Sequence, residues 1–218
     1  MPLQIKVFTL GPMQNNTVVL FDPEEKKGII VDPSFQNQPV LDFIQSSNLD
    51  IDLIICTHAH FDHFAGVPFF VESLYPSPKI ALNEKDLALW QEGGGSKKFN
   101  YLIKLPPLPD IFIKNGQTLH LGDSNIEVRE VPGHTQGSII LYCSALSTAI
   151  CGDTIFRQSI GRTDFEDGDH ETLVNSIRSQ ILTLPDETVL IPGHGRSTTV
   201  AYEKKFNPFF QNDYLETI

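Results

Sequence analysis

Short apolar runs separated by Gly, Pro and Asp residues fill the first half of the chain. Runs of this length, bounded by turn-forming residues, are typical of buried β-strands. The pattern predicts strands at 5–10, 17–21, 28–31, 51–56 and 79–82. Apolar residues at helical spacing predict helices at 39–47 and 67–74. A further helix is predicted to begin at Asn83, with Leu87, Leu89 and Trp90 as its apolar face.

The second half of the chain repeats this order of strands followed by a helix. Strand-like runs lie at 118–121, 126–131, 138–142 and 145–151, a helical pattern follows at 171–184, and a last apolar run lies at 188–191. This repeated order predicts two similar layers that face each other. A chain of 218 residues is long enough for one sizeable core, so we expect a single domain over residues 1–218.

Residues 91–109 interrupt the regular pattern. The segment 91–98 contains three consecutive glycines and no apolar residue, and 105–109 reads Leu-Pro-Pro-Leu-Pro. Such a composition predicts an irregular connection. Two interpretations remain open, a surface loop without a function and a mobile flap over a pocket.

Composition and charge restrict the class of protein. Hydrophobic content of 40% and charged content of 20% are typical of a soluble globular protein. The chain begins without a signal-like segment and has no run of membrane-spanning length, so we expect a cytoplasmic protein. The net charge of −11 argues against a nucleic-acid partner. Cys56, Cys143 and Cys151 are odd in number and lie in apolar contexts, which predicts reduced, buried thiols.

The densest group of chemically useful side chains is His58, His60, Asp62 and His63, directly after the predicted strand 51–56. Imidazole and carboxylate groups are common ligands of divalent metals. Burying them without partners would cost free energy, so core packing does not explain the cluster. His58 and His60 project to the same side of an extended backbone, and Asp62 and His63 can reach a second position. The cluster could therefore supply two neighbouring metals.

Isolated histidines carry a different interpretation. His120, in a strand-like run, and His170, in a predicted loop, are interpreted as surface or hydrogen-bonded residues without a ligand role.

Three more candidate ligands follow predicted strands. They are His134, Asp153 and His194, and each comes directly after a glycine. Glycine permits a tight turn and a close approach of the backbone. One Gly-His or Gly-Asp pair is a weak signal, but four strand ends that carry histidine or aspartate form a strong one.

The motif His-x-His-x-Asp-His at 58–63, followed by His134, Asp153 and His194, resembles the metallo-β-lactamase superfamily in order and setting. The resemblance covers almost the whole chain. It implies an α/β fold, a four-layer αββα sandwich of two mixed β-sheets with helices on the outer faces. It also implies two divalent metal ions at one edge of the sheets. The first would be held by His58, His60 and His134, and the second by Asp62, His63 and His194, with Asp153 bridging the two.

Other stretches resemble the short, glyoxalase II-like (hydroxyacylglutathione hydrolase-like) members. The position of Asp153 is commonly a cysteine in true β-lactamases of this fold, and an aspartate resembles the glyoxalase II-like hydrolases. The sequences Gly-Arg-Thr-Asp-Phe at 161–165 and Pro-Gly-His-Gly at 192–195, with Glu203 and Asn207 beyond them, match the same group. The all-nitrogen and oxygen ligand set implies zinc, with iron or manganese as alternatives.

The resemblance also indicates substrate contacts. Arg162 lies at the basic position of the glutathione contact, and Asp164 stands where those enzymes tend to carry tyrosine. Phe156 is a third candidate. The structural alternative for Arg162 is a salt bridge with Asp164 or Glu166. Long glyoxalase II enzymes have a further C-terminal helical region that this chain is not expected to contain, so recognition of glutathione is open.

The implied reaction is hydrolysis of a small-molecule thioester. Two metals would share a water, lower its pKa and polarise the carbonyl, while Asp62 orients the resulting metal-bound hydroxide. A thioester suits this chemistry because a thiol, with a pKa near ~8.5, leaves without a general acid. Three alternatives remain: a persulfide dioxygenase with one iron, a phosphodiesterase or nuclease of the same fold, and a metal-binding protein without catalysis. We expect no membrane partner.

Overall fold

The computed structural model describes residues 3–211, and its first β-sheet has six strands that follow the order of the chain. The strands are β1 (Gln4–Leu10), β2 (Asn15–Asp22), β3 (Lys27–Val31), β4 (Asp50–Ile55), β5 (Lys79–Leu82) and β6 (Ile111–Phe112). The pairs β1–β2 and β2–β3 are antiparallel, and β3 to β6 are parallel. The carboxyl ends of β3, β4 and β5 therefore lie at one edge of the sheet.

The second β-sheet also has six strands, in the order β14-β13-β10-β9-β8-β7. They are β7 (Thr118–Leu121), β8 (Ser124–Glu130), β9 (Ile139–Cys143), β10 (Thr148–Gly152), β13 (Val189–Pro192) and β14 (Thr198–Thr199). A separate hairpin consists of β11 (Ile155–Phe156) and β12 (Ser159–Ile160). Since β8 and β10 are both antiparallel to β9, and β13 is parallel to β10, the carboxyl ends of β8, β10 and β13 meet at one edge.

Helices cover both outer faces. They are α1 (Gln38–Ser46), α2 (Phe61–Phe64), α3 (Val67–Ser73), α4 (Leu87–Gln91), α5 (His170–Ser176) and α6 (Val200–Phe206). Single 3₁₀ turns span Glu84–Asp86, Ser96–Phe99, Ser144–Leu146 and Pro208–Phe210, and a π-helical turn spans Ile177–Ile181.

Three apolar clusters hold the four layers together. Alternate residues of a strand face opposite sides, so Val18 and Leu20 of β2 enter the core between the sheets while Val19 packs under the helices of the first sheet. On the far side, Leu173 and Ile177 pack against the second sheet. The predicted α/β fold, a four-layer αββα sandwich of two mixed sheets, is confirmed.

Two predicted elements differ by three or more residues from the structure at one end. The helix predicted at 171–184 is an α-helix only from His170 to Ser176, after which the chain continues in the π-helical turn. His170, predicted in a loop, is the first residue of this helix, because the Asp169 side chain accepts a hydrogen bond from the Thr172 amide and caps it. The strand predicted at 145–151 begins at Thr148, since Ser147 adopts a left-handed φ of 45° and closes the turn from β9.

The helix predicted to begin at Asn83 starts as a 3₁₀ turn, with the Asn83 side chain accepting from the Lys85 amide, and becomes α-helical at Leu87. The three cysteines are free and buried, as predicted. Across residues 3–211, no helix is both long and apolar enough to cross a membrane. The prediction of a single domain over 1–218 includes residues 1–2 and 212–218, which lie outside the described residues, and it stays a prediction.

Candidate metal centre

Four strand ends bring the seven candidate ligands to one edge of the sandwich. The segment after β4 carries His58 to His63, and the residues after β8, β10 and β13 carry His134, Asp153 and His194. The shared edge follows from strand direction, as described above. Strands hold such side chains rigidly, while the following turns let them converge.

The backbone after β4 explains how one short segment serves two positions. It bends at Thr57 and His58, is extended at His60, with φ −78° and ψ 143°, and then turns into α2. His58 and His60 therefore lie before the helix, whereas Asp62 and His63 lie inside its first turn. His58, Asp62 and His63 are all buried.

Three groups of ligand atoms each lie within 4.8 Å of one another, and one of them, His58, His63 and Asp153, joins the other two, which we call the first and second sets. The first set is His58, His60 and His134, and the second set is Asp62, His63 and His194. In the first set the His60 Nδ1 atom lies 2.9 Å from His134 Nε2. In the second set the Asp62 Oδ2 atom lies 3.1 Å from His194 Nε2 and 3.8 Å from His63 Nε2.

Asp153 lies between the two sets. Its Oδ2 atom is 3.8 Å from His134 Nε2 and 3.6 Å from His194 Nε2. Its Oδ1 atom is 3.4 Å from His63 Nε2. Gly193 permits this approach, because a Cβ atom there would lie 2.2 Å from Asp153 Oδ1. One carboxylate thus faces members of both sets, which is the arrangement expected of a bridging ligand.

Hydrogen bonds on the outer side of the rings fix their orientation. The Nδ1–H groups of His134 and His194 donate to the carbonyl oxygens of Arg162 and Met13, at 2.8 and 2.9 Å. His63 Nδ1 lies 2.9 Å from Asp32 Oδ2. With Nδ1 engaged in this way, the Nε2 atom of each ring faces the centre, as in histidines that bind metals.

The two sets differ in electrostatics. Burial, reinforced by neighbouring histidines, lowers the pKa of His58 well below its usual value and that of His60 to about 3. Burial alone would also lower the pKa of His63, but the carboxylates of Asp153, Asp62 and Asp32 raise it well above its usual value. Burial acts to raise the pKa of Asp153, but the nearby His63 and His194 lower it. His58 and His60 are therefore neutral near pH 7, whereas His63 in the second set is a cationic imidazole paired with carboxylates.

Three buried atoms indicate what the centre can hold. His58 Nε2, His63 Nε2 and Asp153 Oδ1 have no hydrogen-bond partner within residues 3–211. Leaving such atoms buried and unpaired costs about 1–3 kcal/mol each, and divalent cations bound at the two sets would satisfy them. The donor set of imidazole nitrogen and carboxylate oxygen fits a pair of divalent metals of the zinc, iron or manganese type.

The sequence interpretation missed the residues that support the ligands. The Asp32 carboxylate accepts hydrogen bonds from the amide and the hydroxyl of Thr57, both at 2.7 Å, and faces His63 on the same side. A signal for it was available, since Asp32 follows β3 at the same edge as the other ligands. Asp86 is also buried, and nothing in its local sequence points to a role.

A cleft of about 750 Å³ opens over the centre. His60, Asp62, His134, Asp153 and His194 reach its floor, and its walls include Phe99, Phe156, Ile160, Arg162 and Phe165. Such a volume and apolar lining are typical of a small-molecule site.

Two of the three predicted substrate-contact residues line the cleft, and the third does not. Phe156 and Arg162 line the cleft. The Arg162 guanidinium also forms a two-pronged ion pair with the exposed Asp164, with both N···O distances 2.7 Å, and stacks on the Phe165 ring at 4.0 Å. The salt-bridge alternative for Arg162 is therefore present with Asp164. Asp164 is not among the residues that line the cleft, and its contact with substrate stays a prediction.

Part of the irregular segment 91–109 forms one wall of the cleft. Residues 94–99 contribute Gly94, Gly95, Lys97, Lys98 and Phe99. The Gly94 carbonyl accepts a hydrogen bond from the Phe61 amide at 3.1 Å, so this wall is attached to the ligand segment itself. The segment covers a pocket as one interpretation expected, while its mobility stays a prediction.

Comparison with known proteins places this geometry in context. The family model of the metallo-beta-lactamase superfamily matches residues 10–194. The hydroxyacylglutathione hydrolase GloC of Haemophilus influenzae is 33% identical over 212 residues, which cover 96% of this chain and 99% of that protein.

Two solved structures are similar to this chain in both fold and sequence. The BLEG-1 B3 metallo-beta-lactamase superposes with a TM-score of 0.89 at 32% identity, covering 96% of this chain and 100% of that chain. TTHA1623, solved in a di-iron-bound form, has a TM-score of 0.85 at 33% identity and covers 94% of this chain and 99% of that chain.

Proposed function

Because the chain belongs to the metallo-beta-lactamase superfamily and has the His/Asp cluster of a metallo-hydrolase, we propose that it hydrolyses thioesters at a two-metal centre. The observation that carries the proposal is the position of Asp153, whose carboxylate faces histidines of both ligand sets. A single-metal site would not need a carboxylate between two complete sets of ligands.

Each ligand has a defined place in this proposal. His58, His60 and His134 would hold one metal, Asp62, His63 and His194 would hold the other, and Asp153 would be shared between them. When bound, two divalent ions supply Lewis acidity toward a carbonyl oxygen and water activated for attack near neutral pH. We propose zinc as the native metal, and the di-iron form of TTHA1623 makes iron the first alternative, followed by manganese.

Asp62 is the proposed catalytic carboxylate. Burial would raise its pKa, but the adjacent His63 and His194 lower it, so it stays ionised near pH 7. One of its oxygens faces His194 Nε2, and the carboxylate also lies on the floor of the cleft. From there it can accept a hydrogen bond from the attacking water and orient it toward the substrate carbonyl. The departing thiolate does not require a proton donor, because the pKa of a thiol is only ~8.5.

Three observations support a small-molecule thioester as the substrate. The cleft volume of about 750 Å³ suits a ligand of this size. Phe156 lies beside His194, at 6.5 Å between ring centroids, and can pack against an acyl chain. Arg162 stands at the wall and can pair with a carboxylate of the substrate if it exchanges Asp164 for it. The name of the relative GloC supports the same class. The net charge of −11 speaks against a nucleic-acid substrate.

A second candidate function is β-lactam hydrolysis. It is favoured by the similarity to BLEG-1, which is described as a B3 metallo-beta-lactamase. Departure of an amide nitrogen calls for a proton donor, which a thiolate does not need. We therefore rank thioesters first.

The decisive experiment combines metal analysis with a substrate panel. The purified protein, loaded in turn with zinc, iron and manganese, is assayed on S-lactoylglutathione, other acyl thioesters, a β-lactam, a persulfide and a phosphodiester. We expect two metals per chain and fastest turnover of a thioester. One iron per chain with oxygen uptake on the persulfide would select a dioxygenase instead. Two bound metals without turnover of any thioester would overturn the proposal.

A matched pair of variants controls the assay. Asp153→Asn removes the charge of the bridging carboxylate and should abolish thioester turnover. Asp186→Asn makes the same chemical change in an exposed ion pair with Lys204 and should leave turnover unchanged.

A further inference from the structure

Asp86 is a buried carboxylate outside both ligand sets. It ends the 3₁₀ turn that follows β5 and is only 2% exposed. Its Oδ2 atom accepts hydrogen bonds from the Ala59 amide at 2.9 Å and from the Thr135 hydroxyl at 2.8 Å. Its Oδ1 atom accepts from the Gly137 amide at 2.6 Å. All three of these donors belong to segments that carry candidate metal ligands or follow directly from them.

The partners of Asp86 connect the two segments that build the first set. Ala59 lies between His58 and His60, after a strand of the first sheet. Thr135 directly follows His134, after a strand of the second sheet. One carboxylate thus joins the two sheets at the place where their three histidines must converge.

The second set is supported by other groups. His63 Nδ1 faces Asp32, and His194 Nδ1 donates to the carbonyl of Met13. The hydrogen bonds of Asp86 go to none of these residues. Asp32 also reaches the first set, because the Thr57 hydroxyl that donates to it lies 3.1 Å from His58 Nδ1, but Asp86 makes no hydrogen bond to the groups that orient His63 and His194.

The backbone at Gly137 packs closely against the Asp86 side chain and leaves little free space between them. A Cβ atom at residue 137 would lie 2.6 Å from both Cγ and Oδ1 of Asp86. The backbone of the His134 segment can approach the carboxylate this closely only because residue 137 is glycine. Small displacements of Asp86 would consequently move that backbone, and with it the imidazole of His134.

We propose that Asp86 is a positioning residue for the first metal set. It fixes the distance between the His58–His60 segment and the His134 segment. The proposal rests on the two-metal centre proposed above and does not depend on which substrate is hydrolysed. Loss of groups that orient metal ligands typically weakens metal binding 10- to 100-fold. Substitution of Asp86 should therefore weaken metal binding at the first set and leave metal binding at the second set unchanged.

The test separates the two sets with ligand variants. In a His194→Ala protein the first set remains intact, and in a His134→Ala protein the second set remains intact. Adding Asp86→Asn places an amide N–H₂ among three donors without changing the size of the side chain. Cobalt(II) affinity, measured by competition with a chelator and by the visible spectrum of the bound ion, should fall about 10- to 100-fold in the His194→Ala background. It should change less than twofold in the His134→Ala background.

A gentler pair of variants covers the case in which Asp86→Asn does not fold. Thr135→Val removes the hydroxyl that donates to Asp86, and Thr135→Ser keeps it. In the His194→Ala background we expect Thr135→Val to weaken cobalt binding several-fold and Thr135→Ser to retain the affinity of the parent protein. Thermal unfolding of the metal-free proteins checks that the compared variants are folded.

The possible results distinguish the two proposals. Equal weakening in both backgrounds, or no weakening by either Asp86→Asn or Thr135→Val, would show that Asp86 does not position the first set. If the unsubstituted protein itself binds fewer than two cobalt ions, the two-metal centre is wrong, and the failure lies with the proposed function.

Discussion

The Nδ1 atom of His63 lies 2.9 Å from Oδ2 of Asp32, and both side chains are buried. The Asp32 backbone adopts a left-handed φ of 51°, which aims the carboxylate back toward the ligand segment. A carboxylate can only accept, so it keeps the proton of His63 on Nδ1 and leaves Nε2 free to face Asp62 and Asp153. This contact decides which nitrogen of His63 can bind a metal.

The substitution Asp32→Asn should weaken the second metal set. Asparagine tolerates a left-handed backbone, so the turn is retained. Its amide can direct the N–H₂ group at His63 Nδ1, which then becomes an acceptor and moves the ring proton to Nε2. We expect metal affinity at the second set to fall about 10- to 100-fold, with a parallel loss of kcat.

Competition with a chelator measures the affinity, and Asp186→Asn serves as the control because it changes an exposed aspartate in the same way. Wild-type affinity in Asp32→Asn would contradict the role of Asp32.

Acid should remove metal from the second set before the first. In the metal-free protein the pKa values of His63 and His194 are raised, because nearby carboxylates outweigh the effect of burial. Metal binding there must displace protons, so the affinity falls as the pH falls, beginning above the ordinary histidine value of 6.5. Each displaced proton reduces the affinity about tenfold per pH unit.

His58 and His60 of the first set have pKa values shifted in the opposite direction. Burial keeps His58 neutral far below pH 6.5 and lowers the pKa of His60 to about 3, so neither ring competes with the metal between these values. Cadmium NMR follows both sites in one sample during an acid titration. Loss of the signal of the first set at the higher pH would contradict this assignment.

Gly94 and Gly95 offer a matched test of how the cleft wall is attached. Both have a left-handed φ, of 59° and 77°. An alanine therefore meets a similar backbone penalty of about 1–2 kcal/mol at either position. Only at Gly94 would the added Cβ collide with the ligand segment, at 2.4 Å from Phe61 N and 2.6 Å from Ala59 O, whereas nothing lies within 4 Å at Gly95.

We expect Gly95→Ala to retain metal binding with a small loss of stability. Gly94→Ala should lose more stability and should also weaken metal binding, because Phe61 and Ala59 adjoin the ligands. Urea unfolding and metal titration measure the two effects. Equal behaviour of the two variants would show that contact with Gly94 does not position the ligand segment.

The layers of the fold and the set of metal ligands could be predicted from the sequence because both depend on local patterns. Apolar runs indicated the strands, and a histidine or aspartate after four of these runs marked the edge at which the ligands meet. Asp32 also follows a strand at this edge. Because Asp-Pro after a strand is typical of an ordinary turn, its role in supporting His63 was not recognised.

Asp86 could not have been recognised from its neighbours in sequence. Its three hydrogen-bond donors lie 27, 49 and 51 residues away, so only the folded chain shows what it contacts. The π-helical turn after Ser176 is hidden for a different reason. Its apolar residues Ile177 and Ile181 are spaced as in an α-helix, and hydrophobic periodicity does not report the hydrogen-bond pattern.

Asn207 and Glu203 support another part of the cleft wall, formed by the β11–β12 hairpin. Glu203 is fully buried, and its Oε2 atom accepts from the Gln158 amide at 2.9 Å and from Asn207 Nδ2 at 2.8 Å. Asn207 Nδ2 also donates to the Ser159 carbonyl at 3.0 Å. The hairpin contributes Phe156, Ser159 and Ile160 to the cleft, so this network links the fold to the substrate site.

The substitution Asn207→Asp should damage this wall while preserving side-chain size. It replaces two donated hydrogen bonds with a carboxylate that faces the Glu203 carboxylate in a buried site, which we expect to lower the free energy of unfolding by about 3 kcal/mol. Because the hairpin is displaced while the metal ligands remain, KM for the substrate should rise more than kcat falls. Urea unfolding and steady-state kinetics measure both effects, and Asn125→Asp on the exposed side of β8 is the control. If KM does not change in a destabilised Asn207→Asp protein, the network serves folding alone, and the hairpin does not shape the substrate site.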